Sequence, residues 1–364
     1  ALVGSLTVEA TAAVITTGTL GAFTVVHGTA TQIDLTGSTA DLTSGATRVL
    51  TATLRDAAGN VAVTDSSTVV TFGKSAGAGT VTGAGTATAS SGVATKTITG
   101  ALVGAVAMEA TAGGLTTGTL GAFTVVHGVA AQVGLTGSTA DLTSGASRVL
   151  TATVQDAAGN TITSDSSTSV SFGQAGGAGT LTGLAGAETV SSGVASKTVT
   201  GALSGSVDLE ATASGLTTGT LSFDVVHGAA TQISLSGSTA DLTSGANRVL
   251  TATIQDAAGN TVTADSSTVV AFAKASGAGT VTGAGTATAA SGVATKTITG
   301  ALVGAVAMEA TAAGLTTGTL GAFTVVHGAA AALQLTGSTA DLTSGANRVL
   351  TATILDAAGN TVTG

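Results

Sequence analysis

RVLTATLRDAAGN, residues 48–60, reads as a strand followed by a tight turn. Leu50, Ala52 and Leu54 fall on one side of an extended chain and Val49, Thr51, Thr53 and Arg55 on the other, because successive strand side chains point to opposite faces. The apolar period is two, and the β-branched Thr and Val residues strengthen the strand reading over a helical one. AAGN at Ala57–Asn60 supplies the turn, since Gly and Asn both tolerate left-handed backbone.

Similar alternating stretches lie on either side: Gln32–Leu35, Thr68–Phe72, Gly79–Thr82, Val93–Thr99, Val106–Thr111 and Phe123–Val126, separated by Gly, Ser, Asn and Asp. Together with Arg48–Asp56 they make seven or so short strands in about 100 residues, which predicts an all-β, two-sheet immunoglobulin-like sandwich. The core must come from Val, Leu, Ile, Ala and one or two Phe per unit.

The pattern repeats. GSTADLTSGATRVLTATLRDAAGN begins at Gly37 and returns nearly unchanged at Gly137, Gly237 and Gly337, a period of 100 residues. That is too long for a solenoid repeat and matches one small domain. The expected organisation is 1–28 as the C-terminal part of a domain, then complete domains at 29–128, 129–228 and 229–328, then 329–364 as the N-terminal part of another. Ala1 has the phase of Ala101 and Gly364 that of Thr64, so the chain reads as an excerpt from a longer array. The copy at 129–228 gains a residue in GLAGAETVSSG and loses one in TLSFDVVHG, and both changes are expected in loops.

Composition removes several function classes. Ten Lys and Arg against 19 Asp and Glu give a net charge of −9, which leaves no basic stripe for nucleic acid. The longest apolar run, Ala101–Met108, is too short to span a bilayer as a helix. With 43% hydrophobic and 8% charged residues the chain does not have a disordered composition. There is no Cys, hence no disulfide framework and no thiolate zinc site. No Ser, His and Asp stand in a nucleophile-elbow context, and the Gly-rich stretches lack the strand-loop-helix frame of a phosphate site, so the chain does not read as an enzyme.

LTATLRDAAGN, TVVTFG, GAGTVTG, SSGVATKTITG, GAVAMEATAGGL and AFTVVHG resemble, in order and spacing, the bacterial immunoglobulin-like domains of the invasin and intimin type. The resemblance covers essentially the whole chain, and its most specific parts are the DAAGN turn and the SGVAT strand start. One departure is Val61 or Thr161 where family members usually carry Pro after the Gly-Asn turn. The resemblance implies tandem domains displayed outside a bacterial cell, as a stalk of a surface adhesin or as a filament or surface-layer subunit. The alternative is an adhesin whose modules themselves bind a host receptor, carbohydrate or other surface.

Candidate sites carry competing readings. Asp56, Asn60 and Asp65 could supply oxygen ligands to calcium from adjoining loops, or Asp56 and Asn60 could bond the backbone of their own turn. Lys96 shares strand parity with Ala94 and Ile98, so it is expected toward the core, where an ammonium needs a partner. Its readings are an isopeptide bond promoted by Glu109, an ion pair with Asp56, or a stem that reaches water. His127 with Gly128, and His227 with Gly228, end their units and are assigned to the interdomain joint. Arg48 is expected to pair with a local Asp. No other cofactor is implied, and the expected partners are other copies of the chain, associating laterally or end to end.

Overall fold

The computed structural model describes residues 2–363, and all regular secondary structure among them is strand. A first hairpin, β1 (Gly4–Ala12) and β2 (Ile15–Val25), precedes nine strands: β3 (Ala30–Thr36), β4 (Leu42–Thr43), β5 (Thr47–Asp56), β6 (Val69–Ala76), β7 (Val81–Thr82), β8 (Gly85–Thr88), β9 (Val93–Gly100), β10 (Gly104–Thr111) and β11 (Gly118–Val126). They form a four-stranded sheet of order β3-β5-β9-β7 and a five-stranded sheet of order β4-β11-β10-β6-β8. Equivalent sheet pairs follow over 132–226 and 232–326, and Ala330–Thr336 pairs with Thr351–Asp356 at the end.

The inward face of β5 is the one the alternation implies: Leu50, Ala52 and Leu54 are completely buried. They pack with Val70, Phe72, Ile98, Met108 and Phe123 into one core, and two further cores built from the equivalent positions fill the next two units, the first of them with Val154, Val199 and Leu209 in place of Leu54, Ile98 and Met108. Each buried Leu or Phe side chain contributes about 1.5–3 kcal/mol by leaving water. The terminal two-stranded pieces keep their apolar positions exposed, Phe23 at 43% against 3% for Phe123.

Two strands are absent from the sequence reading, β4 and β8. The first carries the topology. After β3 the chain leaves the four-stranded sheet, crosses through 37–41 and re-enters as β4 beside β11, parallel to it, with Leu42 opposite Val125 and Thr43 opposite Val126. Two residues are too few to show alternation.

Arg48 pins this crossing, and not in the way expected. Its Nη2 donates to the carbonyls of Ala40 (2.6 Å) and Asp41 (3.1 Å), and the guanidinium lies 4.5 Å from the centre of the Phe123 ring. The partners are main-chain oxygens and an aromatic face, not the Asp41 carboxylate. Burial lowers the Arg48 pKa from its ordinary value, with Asp41 opposing that shift. Arg148 over Phe223 and Arg248 over Phe323 repeat the ring contact at 4.2 and 4.4 Å.

The paired insertion and deletion at 129–228 separate. The insertion lies in the loop between Thr182 and Ala187, as expected. The deletion does not lie in a loop. In the first unit β10 and β11 shift register between Val106–Phe123 and Met108–Leu120, a bulge with an extra residue on β11. In the second unit Val207–Phe223, Asp208–Ser222 and Leu209–Leu221 pair without interruption. Losing one residue removed the bulge and kept Phe223 in the core at 6% exposed, while Leu221 is only half-buried where Leu120 is 8% exposed.

Close backbone approach accounts for one glycine pair: a Cβ on Gly79 would stand 2.2 Å from the Gly104 carbonyl oxygen, and one on Gly104 2.6 Å from the Gly79 nitrogen.

Candidate functional site at the interdomain joint

The DAAGN turn begins with a carboxylate that has no free face. Asp156 Oδ1 accepts from Ala158 N (2.9 Å) and Asn160 N (2.9 Å), while Oδ2 accepts from Gly128 N (2.8 Å) and Asn160 Nδ2 (2.9 Å). Gly128 belongs to the segment linking the first complete unit to the second, so this Asp ties the linker to the second unit's turn. Burial pushes the carboxyl up, but the Gly128 N–H, the Asn160 amide and the turn N–H groups outweigh it and hold the pKa at about 2.

Asn160 carries the contact across the joint. Its Nδ2 donates to the Ala101 carbonyl (2.8 Å) and reaches Ser44 Oγ (3.2 Å), and its Oδ1 accepts from Val103 N (2.9 Å). All three partners belong to the preceding unit, and Ser44 Oγ itself donates to Ala101 O at 2.9 Å. The side chain is a plug: its amide matches an acceptor and a donor at the far pole of the neighbouring sandwich. Asn260 makes the same contacts with Ala202, Ser144 and Ser204, and Asn360 with Ala301, Ser244 and Val303. Asn60 accepts from Val3 N at 3.2 Å. Asn160, Asn260 and Asn360 are 5–7% exposed, so each bond is made out of water, where leaving it unmade is costly.

Gly128 lets the two units touch. A Cβ there would lie 3.1 Å from Ser44 O on one side and 3.5 Å from Asp156 Cβ on the other, and Gly228 and Gly328 are confined in the same way.

His127 stands beside this linker. Its Nδ1 is 3.1 Å from Gly128 O, which can only accept, so Nδ1 carries a hydrogen, and Nε2 lies within hydrogen-bond distance of Ser164 Oγ at 3.2 Å. His227 makes the Gly228 contact at 3.0 Å, and the second unit's hydroxyl position is Ala264 in the third.

The remaining candidate residues are placed as follows. Asp56 is ringed by Gly28 N, Ala58 N, Asn60 N and the Asn60 amide, and the Gly28 bond leads in holding its carboxyl well below the usual carboxylate range. Asp65 accepts from Ser67 N, Thr68 N and Thr68 Oγ1, its pKa lowered chiefly by the Thr68 hydroxyl. Both are thus surrounded by hydrogens where a calcium site presents further oxygens. Among the described residues no three His, Asp or Glu side chains come together to hold a metal.

Lys96 departs from its expected partners. It is half-buried, and its Nζ donates to the Thr86 carbonyl at 3.1 Å, so the stem spans from β9 to the edge strand β8 of the other sheet. Lys96 pairs across with Leu50, and Asp56 lies six residues further along β5, about 20 Å away at strand rise. Glu109 alternates with the buried Met108 and Ala110 and so faces outward on the opposite sheet. In the second unit Lys197 pairs with Glu188 at 2.7 Å. Replacing Lys96 with Met is expected to change thermal stability by less than about 1 kcal/mol, since one partly exposed hydrogen bond is lost and the stem is kept. The intact mass of the chain is expected to match the unmodified sequence, and a deficit of one ammonia or water per unit would overturn this placement of Lys96.

No protein-family model matches the chain, and no curated protein matches it. Among solved structures it is similar to the Escherichia coli adhesin FdeC, at 20% identity over 84% of this chain and 100% of that one, with a TM-score of 0.33. It is similar to invasin, a bacterial integrin-binding protein, at 17% identity over 83% of this chain and 61% of that one (TM-score 0.33). It is also similar to the surface-layer protein SbsC, at 19% identity over 95% of this chain and 46% of that one (TM-score 0.26). The fold itself rests on the sheets: a first strand that switches layers, a four- and a five-stranded sheet closing on one core, and the same order three times over. The chain is a tandem array of immunoglobulin-like β-sandwiches joined by a repeated polar contact.

Proposed function

We propose that the chain is a structural element of a bacterial cell surface, an extracellular stalk or filament segment whose task is to extend and connect rather than to catalyse. The observation that carries this reading is the joint: Asn160, Asn260 and Asn360 each bond the preceding unit through the same three groups. A flexible spacer needs no such contact, because a Gly-rich linker alone would leave neighbours free. The likeness to adhesins and to a surface-layer protein accords with a surface location.

The competing reading, modules that bind a receptor or carbohydrate, is disfavoured by the aromatic residues. The chain has no Trp or Tyr, and six of its seven Phe (Phe72, Phe123, Phe172, Phe223, Phe272 and Phe323) are in the cores, the seventh, Phe23, standing on the two-stranded first hairpin. Exposed aromatic anchors dominate such interfaces. Small-angle scattering and electron microscopy of the purified chain are expected to give an extended particle with evenly spaced units. Compact or randomly coiled particles would defeat the stalk reading, whereas side-by-side sheets or filaments would identify its assembling form, with other copies of the chain as partners.

A further inference from the structure

We infer that the edge strand β8 is a surface to which a second copy of the chain can add, and that Lys96 and Lys296 hold this edge closed. The inference rests on the stalk reading, in which neighbouring copies stand side by side. The edges of the first sandwich are β3 and β7 in one sheet and β4 and β8 in the other. Two of them, β4 and β7, have only two residues each. A third, β3, is covered by Thr116, which accepts from Ile33 N (3.0 Å) and donates to Thr31 O (2.9 Å). The fourth, β8, has four residues, Gly-Thr-Ala-Thr. Val69 stands opposite Thr88 and Thr71 opposite Thr86, while the next position along is bonded, Ala89 N donating to Thr68 O at 2.8 Å. Bonded and non-bonded positions alternate along an antiparallel ladder, so Ala87 and Gly85 bond to β6 while Thr86 and Thr88 turn their N–H and C=O groups outward. Both threonines are exposed.

This edge is complementary to itself. A second β8 laid antiparallel along it, with a two-fold axis at Ala87, sets Thr86 of each copy against Thr88 of the other, and the two pairs exchange four N–H···O=C bonds. Gly285–Thr288 presents the same four residues in the same register, with Ala289 N bonded to Thr268 O at 2.8 Å. An edge of this kind is where chains zip together.

Lys96 occupies the place that the second strand would take. Its ammonium crosses from β9 to Thr86 O at 3.1 Å, and Lys296 meets Thr286 O at 3.1 Å. An incoming strand must take that carbonyl from an ammonium. The two-fold axis brings the second copy's own ammonium with it, so pairing gives up a charge-assisted bond on each side and sets like charges together. The second unit is charged twice at this edge: Lys197 donates to Ala185 O (2.7 Å), Gly186 O (3.1 Å) and Glu188 Oε1 (2.7 Å), and Glu188 lies in the edge strand itself. A lysine that adds little to the stability of its own unit thus keeps neighbouring arrays separate.

Sedimentation velocity on the full chain tests this. A protein carrying Lys96→Met and Lys296→Met is expected to dimerise with a dissociation constant about 10- to 100-fold below that of the parent, since one carbonyl on each copy no longer has to be released. Lys96→Arg with Lys296→Arg keeps the charge and is expected to behave as the parent does. Adding Thr88→Pro and Thr288→Pro to the methionine protein removes an outward N–H from each edge without touching the ladder to β6, and is expected to restore the parent's behaviour. Methionine variants that associate no more than the parent, or an association that the prolines leave unchanged, would overturn the guarded edge. Scattering of the parent chain tests the stalk reading separately, so an extended parent with non-associating methionine variants would remove the guard alone.

Discussion

Replacing Asp156 with alanine is expected to lower the melting temperature of the second unit by roughly 15 °C or more, the largest effect of any substitution at the joint. The variant strands Gly128 N, Ala158 N, Asn160 N and one hydrogen of the Asn160 amide, all of which now point at the carboxylate. Asp156 is 2% exposed, so water reaches few of these donors unless the turn opens. Orphaned donors cost about 1–3 kcal/mol each and are not additive in one cluster, which puts the loss at about 3–5 kcal/mol. Calorimetry of the full chain is expected to show one transition displaced while those of the distant units stay, because the other cores share no side chain with it. Asp156→Asn retains one acceptor oxygen and is expected to recover part of the loss. A melting profile unchanged by the alanine variant would mean that the donors have other partners, and the account of the turn would be wrong.

The same carboxylates set a pH dependence. Asp156 and Asp256 are held at about 2, below the ordinary 3.8, because donors outweigh burial. A depressed folded value favours the ionised native form. The stabilisation is therefore complete above about pH 4 and fades as the pH falls toward 2, where the carboxylates protonate and stop accepting. Melting temperature is expected to stay level from pH 7 to about 4.5 and to drop steeply below 3.5.

What the sequence discloses follows from range. The alternation at Arg48–Asp56, Val93–Thr99 and Val106–Thr111 is local, so the strands, their inward faces and the repeated sandwich can be read directly. Asp56 and Asn60 stand out as a turn pair for the same reason. Their second task is not local: the partners of Asn160 are Ser44, 116 residues away, and Val103, 57 residues away. Nothing at Ser44 or Ala101 distinguishes them from other small residues in loops. Lys96 was misplaced because strand parity treats a sheet as endless. Near its edge, an inward-facing position opens onto the rim between the two sheets, and a long stem can follow that gap to the Thr86 carbonyl. The lost bulge at Ser222 was hidden for a related reason, since a residue opposite no partner has no signature in its own strand.

Removing the plugs tests whether stiffness comes from contact or merely from short linkers. In a chain carrying Asn160→Ala and Asn260→Ala, the first two joints between complete units lose their amide bonds while Gly128, Gly228 and the linkers are untouched. Three bonds across a joint at about 1 kcal/mol each suggest about 3 kcal/mol favouring the closed arrangement, a roughly 100-fold shift in the joint equilibrium on their removal. Spin labels on Thr97→Cys and Thr198→Cys, exposed sites in adjacent units, report this directly as a distance distribution. The distribution is expected to be narrow in the parent and several-fold broader in the variant, with each unit still melting cooperatively. Asn160→Asp separates geometry from charge: it keeps an acceptor for Val103 N but sets a second carboxylate against Asp156 and the Ala101 carbonyl, and it is expected to open the joint further than alanine does. A distribution as narrow in the alanine variant as in the parent would place the stiffness in the tight Gly128 passage between Ser44 and Asp156. The amide contacts would then be incidental to the extended shape, and the stalk reading would lose the observation that carries it.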